Sequence, residues 1–237
     1  MFTLHKNPPR MAHSLRVLAA LLSYPDASLR GHLAEMQALL RDEGALSASR
    51  LAEVVALAES LARADALDAE AAYVELFDRG RSTSLHVFEH VHGDSRERGP
   101  AMIDLGQTYA EAGLQLAEGE LPDYLPAVLE FASTQPPVQA RAFLGEMAHI
   151  LNALFAALRE RESAYASVLG ALLDLAGEKA QPVAPSKDAP EAESLDESWA
   201  EPLAFDGCST QGQARPGQPQ PIHVIRNGSR SETGARA

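Results

Sequence analysis

Residues 138–158 read VQARAFLGEMAHILNALFAAL, and within them Ala140, Leu144, Met147, Leu151, Leu154 and Leu158 recur at intervals of three and four. Side chains on an α-helix turn by about 100° per residue, so this spacing collects them on one face. A half-buried strand would need apolar residues at every second position, and the stretch has no such alternation. It therefore predicts a helix with one buried side. Pro136 and Pro137, just before it, separate that helix from the preceding one.

The same pattern extends in both directions. Leu15, Leu18 and Leu22 mark a first helix, and Pro25 forces Tyr24 out of helical geometry behind it. Leu29, Leu33, Met36 and Leu40 mark a second, ended by Gly44. A third follows a serine cap at Ser47 or Ser49, with Leu51, Val54, Ala58 and Leu61 on one face. A fourth is expected from about Asp68 to Phe77, with a break at Gly80. Shorter helices are expected over Ser84 to Val91 and over Pro100 to Ala112, the latter closed by Gly113. Another starts near Asp123, where Pro126 in the first turn leaves no backbone donor missing. The last carries Tyr165, Val168, Leu172 and Leu175 before Gly177.

Composition agrees with that reading. Apolar residues make up 46% of the 237, but aromatics only 5%, and Ala and Leu dominate the apolar share. Both enter helices at little entropic cost, whereas the β-branched residues that favour strands are scarce. The fold class expected is all-α, one irregular helical bundle over residues 1–178. Beyond it, Pro182, Pro185, Pro190, Pro202, Pro216, Pro219 and Pro221 lie among Gln, Ser, Gly and Glu. A segment of that composition buries too little apolar surface to offset its ordering entropy, so residues 179–237 read as a disordered tail. The stretch from Trp199 to Phe205 is unusually apolar for a linker and could dock on the body or on a partner.

Charge and cysteine content exclude several functions. The net charge is −13, of which the tail's eight acidic and six basic residues carry −2 and the helical body −11. Nucleic-acid binding requires a field of Lys and Arg, so a basic or cationic-amphipathic peptide suits this body better. Cys208 is the single cysteine, which excludes an internal disulfide framework, a zinc ribbon and a Cys-ligated iron–sulfur cluster. Near the N-terminus, Lys6 and Arg10 precede an apolar run that Arg16 interrupts, leaving Val17 to Leu22 before Ser23-Tyr24-Pro25. That is too short and too charged for a secretory signal, and no stretch reaches membrane-spanning length. The expectation is a cytoplasmic protein.

Residues 76–99, LFDRGRSTSLHVFEHVHGDSRERG, differ from the Ala/Leu helices around them in their Arg, His, Gly and aromatic content. On the helix expected over Ser84 to Val91, His86 and His90 would share a face, with Glu89 beside them. The string His86-Val87-Phe88-Glu89-His90 then fits the H-x-x-E-H pattern of a zinc hydrolase, with Glu89 as general base. No third ligand is identifiable downstream. Hydrogen bonding of His86, His90 and His92 to carboxylates or backbone around a helix end explains the cluster more simply.

The long segment 76–99 resembles the signature block of the nitrate reductase molybdenum cofactor assembly chaperones, the NarJ type within the TorD-like redox-enzyme maturation proteins. LRVLAALLSYPD near the N-terminus and GELPDYLPAVLEF at residues 119–131 are similar to further blocks of that family. The resemblance extends from about Leu15 to Gly177, with one departure. Where the family pattern has LPDHLP, this chain has Tyr124 in place of the histidine.

The resemblance implies an all-helical protein that performs no turnover and holds no cofactor or metal. It implies binding to the N-terminal segment of the apo catalytic subunit of nitrate reductase, promotion of molybdenum cofactor insertion, and absence from the finished enzyme. Molybdenum cofactor delivery proteins are further possible partners. The contact region it implies is Leu76, Phe77, Asp78, Arg79, Gly80, Arg81, His86, Phe88, Glu89, His92, Arg96 and Arg98, with Asp123 and Pro126 nearby. A chaperone for a sulfoxide, selenate or chlorate reductase, and a purely structural adaptor, are the alternatives.

Overall fold

The computed structural model describes residues 10–93 and 95–181. Among these residues the only regular elements are helices: α1 (Ala12–Leu21), α2 (Ala27–Glu43), α3 (Ala48–Arg63), α4 (Ala66–Phe77), a 3-10 turn at Arg81–Thr83, α5 (Val87–Val91), α6 (Arg98–Glu111), α7 (Leu125–Thr134), α8 (Pro137–Glu146), α9 (Ala148–Glu160) and α10 (Ala166–Ala176). The all-α expectation is borne out. Residues 182–237, including Cys208 and the Trp199 to Phe205 stretch, lie outside the described residues, as do residues 1–9.

Helices apolar on every side belong in the centre of a bundle, and α7 and α10 are of that kind. All of α10 except Ser167 and Asp174 is buried, as is all of α7 from Leu125 to Ser133 except Glu130. Helix α1 packs against α7, α2 and α10, while α10 also receives α3, α8 and α9. The helices around this centre are amphipathic, so α2 buries only Leu33 and Leu40.

Helix ends follow local chemistry where the sequence supplies it. Asp26, Ser47 and Asp65 accept backbone N–H bonds at the starts of α2, α3 and α4, and Gly44 and Gly177 close α2 and α10 at φ 63° and 84°. Helix α1 lacks a local cap. Glu43, at the end of α2, accepts instead from the N–H groups of His13 and Ser14 at 3.1 and 2.7 Å. A carboxylate there also complements the positive end of the α1 dipole.

Two expectations need correction. The 138–158 stripe belongs to two helices, because the backbone leaves helical geometry at Met147 (φ −92°, ψ 2°). The Met147 N–H bonds to Leu144 three residues back rather than four, at 3.2 Å, after the weak helix former Gly145. The break lets both α8 and α9 pack on α10 while the stripe stays buried, except for half-buried Met147 at the bend itself. The helix expected over Ser84 to Val91 begins only at Val87, and His86 is extended (φ −86°, ψ 103°). Its neighbours are committed elsewhere: the Leu125 N–H donates to the Leu85 carbonyl at 2.8 Å, and the Val87 N–H to the Asp123 carbonyl at 3.0 Å. These bonds make an isolated antiparallel bridge between His86 and Tyr124. His86 and His90 therefore share no helix face.

Candidate functional site: a tyrosine-lined cleft on a buried carboxylate

The bridge brings the 84–98 segment against the loop before α7, and Asp123 is the group that holds it there. The Asp123 side chain is fully buried. Its Oδ1 lies 3.1 Å from His86 Nδ1, its Oδ2 accepts from the Phe88 N–H at 3.2 Å, and Arg98 stands 3.8 Å from the same oxygen. Arg98 also reaches Glu89 at 3.4 Å. A buried carboxylate needs such partners, since its water is lost on folding. The hydrogen bond to Asp123 raises the His86 pKa; burial pulls the other way, and the charges of Asp123 and Glu89 reinforce the rise.

His90 is held by a separate hydrogen bond and His92 by ring packing. His90 Nε2 lies 2.8 Å from the Ser84 carbonyl, a contact in which the ring nitrogen must carry the proton. That nitrogen cannot also ligate a metal. His92 packs its ring edgewise on Phe88 with centroids 5.4 Å apart. The zinc-ligand arrangement thus loses its geometric premise, and hydrogen bonding around a helix end describes His86 and His90, while His92 is held by ring packing on Phe88.

Above the clamp opens a cleft of about 220 Å³ lined by Tyr24, Tyr73, Phe77, Asp78, Leu85, His86 and Tyr124. Tyr73 sets its depth: the hydroxyl donates to the Leu22 carbonyl at 2.7 Å and meets the Tyr124 hydroxyl at 3.2 Å. Its ring stands edge-on to Tyr24 at 5.7 Å, and tilted against Phe77 at 4.8 Å. Tyr124 also leans over His86, with centroids 5.5 Å apart. The residue that departs from the family pattern is therefore a wall of the cleft. Burial, then the bond to Tyr124, hold the Tyr73 phenol far above its usual range, so it stays a neutral donor at any physiological pH. Tyr24 is 44% exposed at the mouth and donates to Glu70 at 2.9 Å. The Asp78 carboxylate is close enough to push the Tyr24, Tyr73 and Tyr124 phenols upward, behind larger local causes in each case. Aromatic faces beside Asp78 and Glu70 make an environment that attracts a cation.

The other residues of the implied contact region divide into groups. Phe77, Asp123 and Pro126 are buried; Phe77, packed between Tyr73 and Tyr165, forms part of the cleft wall, and Asp123 and Pro126 lie outside its lining. His86, Phe88, Glu89 and Arg98 gather around Asp123. Leu76, Arg79 and Gly80 face a different hollow, shared with Arg161. A Cβ on Gly80 would come within 2.8 Å of both Arg161 and the Thr83 hydroxyl. Arg81 and Arg96 are exposed, in the 3-10 turn and in the turn before α6. The sequence pattern missed Tyr24 and Tyr73, whose signal was only a Tyr-Pro helix stop and one aromatic on an Ala-rich helix. It also missed Arg161, which donates to Thr83 Oγ1 at 2.8 Å and to Ser82 at 3.3 Å and so ties the 81–83 turn to the end of α9.

The class that the fold and site define is an all-helical protein carrying an aromatic, acid-edged cleft. The family described as "Nitrate reductase delta subunit" matches residues 43–169. The chain is 46% identical over 162 residues to the nitrate reductase molybdenum cofactor assembly chaperone NarJ of Escherichia coli, covering 68% of this chain and 69% of that protein. It is 37% identical over 164 residues to the nitrate reductase-like protein NarX of Mycobacterium tuberculosis, covering 68% of this chain and 24% of that protein. A crystal structure of a redox enzyme maturation protein from Archaeoglobus fulgidus superposes with a TM-score of 0.50 at 22% identity, covering 75% of this chain and 98% of that one, and shares its fold. The chain belongs to the nitrate reductase delta-subunit family. Among the described residues, no helix is long and apolar enough to cross a membrane.

Proposed function

We propose that this chain is a nitrate reductase molybdenum cofactor assembly chaperone that acts in the cytoplasm. It binds the apo catalytic subunit through that subunit's N-terminal segment, keeps it receptive to cofactor insertion, and leaves before the enzyme is complete. In this reading it catalyses no reaction, and molybdenum cofactor delivery proteins meet it through the client. The observation that carries the binding reading is the cleft: three tyrosines around a narrow hollow, with Asp78 and Glu70 at its edge.

Such a cleft suits one long basic side chain of an amphipathic segment. The aliphatic stem would lie on Tyr73 and Phe77, and the cation would meet the aromatic faces and Asp78. The −11 body steers a basic segment toward it, and the attraction weakens as salt screens it. A segment that orders on binding gives back about 2–5 kcal/mol of its gross interaction energy, which favours release over permanent attachment.

The test is calorimetry of the full chain with a synthetic peptide of the client's N-terminal segment. One-to-one binding is expected, weakening moderately with salt. Asp78→Asn should weaken it about tenfold, the scale of one charged hydrogen bond, without changing the circular dichroism of the free protein. Absence of heat and of chemical-shift change at high peptide concentration would remove the N-terminal segment as ligand.

A further inference from the structure

A second concavity runs along α3 and the junction between α9 and α10. Two adjoining hollows of about 590 and 520 Å³ have Leu57, Ser163 and Ala164 in common and so form one groove. Its apolar lining includes Leu57, Ala72, Leu76, Phe155 and Ala164. Small residues such as Ala72 and Ala164 let a peptide backbone approach closely, and Leu57 and Phe155 supply surface for apolar anchors.

The edge of this groove runs against the charge of the molecule. On a body of net −11, its lining carries Arg50, Arg79, Arg159 and Arg161 against only Glu53 and Glu75. Arg50 is bound to Asp174 at 2.9 Å and to Glu53 at 2.5 Å, and Arg79 to Glu75 at 2.9 Å. Arg161 spends its donors on neutral oxygens of Leu76, Ser82 and Thr83. Among the described residues no carboxylate pairs with Arg159 or Arg161. Arg159 offers a guanidinium fork of the geometry that takes carboxylates, and Arg161, whose hydrogen bonds go to neutral oxygens, adds a positive charge with no carboxylate beside it on the same apolar floor.

We infer that this groove docks a segment of a partner protein in which carboxylates flank apolar side chains. The apolar anchors lie on Leu57 and Phe155, and the carboxylates meet Arg159 and Arg161. Its preference is the reverse of the tyrosine cleft's, so the two surfaces take different segments and do not compete. A partner presenting both would gain the avidity of two linked contacts.

Two synthetic helical peptides of about fourteen residues test this, alike in their leucine face but flanked by glutamate in one and by lysine in the other. The full chain carries a photo-crosslinking residue at exposed Ala164 or, separately, at Tyr24. The glutamate peptide should label position 164, and the lysine peptide position 24. Arg159→Glu should weaken the glutamate peptide by about tenfold or more, while Arg159→Lys keeps most of its affinity. Equal labelling of position 164 by both peptides overturns the inference. So does indifference to Arg159→Glu, or failure of the glutamate peptide to bind. A concentration-dependent dimer that the peptide cannot displace, seen by sedimentation, would assign the groove to a second copy and overturn it too. Failure of the lysine peptide at position 24 alone strikes the cleft reading and leaves this one standing.

Discussion

The tyrosine cleft and the arginine-edged groove are two ways of making a concave surface from one helical body. The cleft is shaped by hydrogen bonds between distant segments: Asp123 to His86 and Phe88, Tyr73 to Leu22 and Tyr124. The groove is shaped by helix packing, with leucine and alanine as its floor and charge only at its edge. A surface resting on a few buried polar bonds fails when one partner is removed, because the other is left desolvated. A surface resting on small side chains between helices tolerates modest change. The two regions should therefore differ sharply in how single substitutions affect them.

Asp123→Ala should have the largest effect. It leaves His86 and the Phe88 N–H without their common acceptor and Arg98 without its buried counter-charge, and removal of one member of a buried charged cluster costs about 3–5 kcal/mol. Urea unfolding should register that loss, and Asp123→Asn should lose less. A cost below about 1 kcal/mol for the alanine variant would mean that the clamp does not organise the cleft, and the contrast would collapse. Tyr73→Phe comes next, at about 1 kcal/mol, since the Leu22 carbonyl loses its donor.

His86 gives a smaller, pH-dependent effect. Its pKa is raised above the ordinary 6.5 in the folded protein. Its contribution to stability is therefore complete below pH 6.5 and disappears as pH rises through the folded value. The stability difference between wild type and His86→Gln should accordingly shrink between about pH 6 and pH 8. A difference that grows over that interval would reverse the sign of the coupling. Smallest of all, Ala164→Ser in the groove should stay within about 0.5 kcal/mol by the same unfolding measurement.

The contrast also explains what could be read from the sequence. Helices such as α2, α3 and α10 announce themselves because an apolar stripe is joined within the same short stretch by a cap (Asp26, Ser47), a closing glycine (Gly177) or, in α2, both. Between Ser84 and Asp123 the decisive bonds span long separations, as in His86 with a carboxylate 37 residues away. Local spacing read His86 as helical because it registered His90 and could not register Tyr124. The bend at Met147 escaped for a related reason: an unbroken stripe fits one helix as well as two wrapped around α10. The arginine edge was invisible because Arg50, Arg79, Arg159 and Arg161 are scattered along the chain and each resembles any solvated helix residue.

The bridge between His86 and Tyr124 has a topological consequence. It fastens the chain to itself at the two ends of an excursion that contains α5 and α6, so the excursion leaves and rejoins the bundle at nearly one point. Only Tyr109 of α6 is buried, and its hydroxyl donates to the Pro122 carbonyl at 2.8 Å, inside the same loop. Loop length enters the closure entropy only logarithmically, so residues could be inserted or deleted within 110–120 at little cost to the rest. A protease cutting at exposed Gly113 or Gly119 should produce two fragments that still elute as one particle. New chain termini opened there by circular permutation should leave the bundle intact.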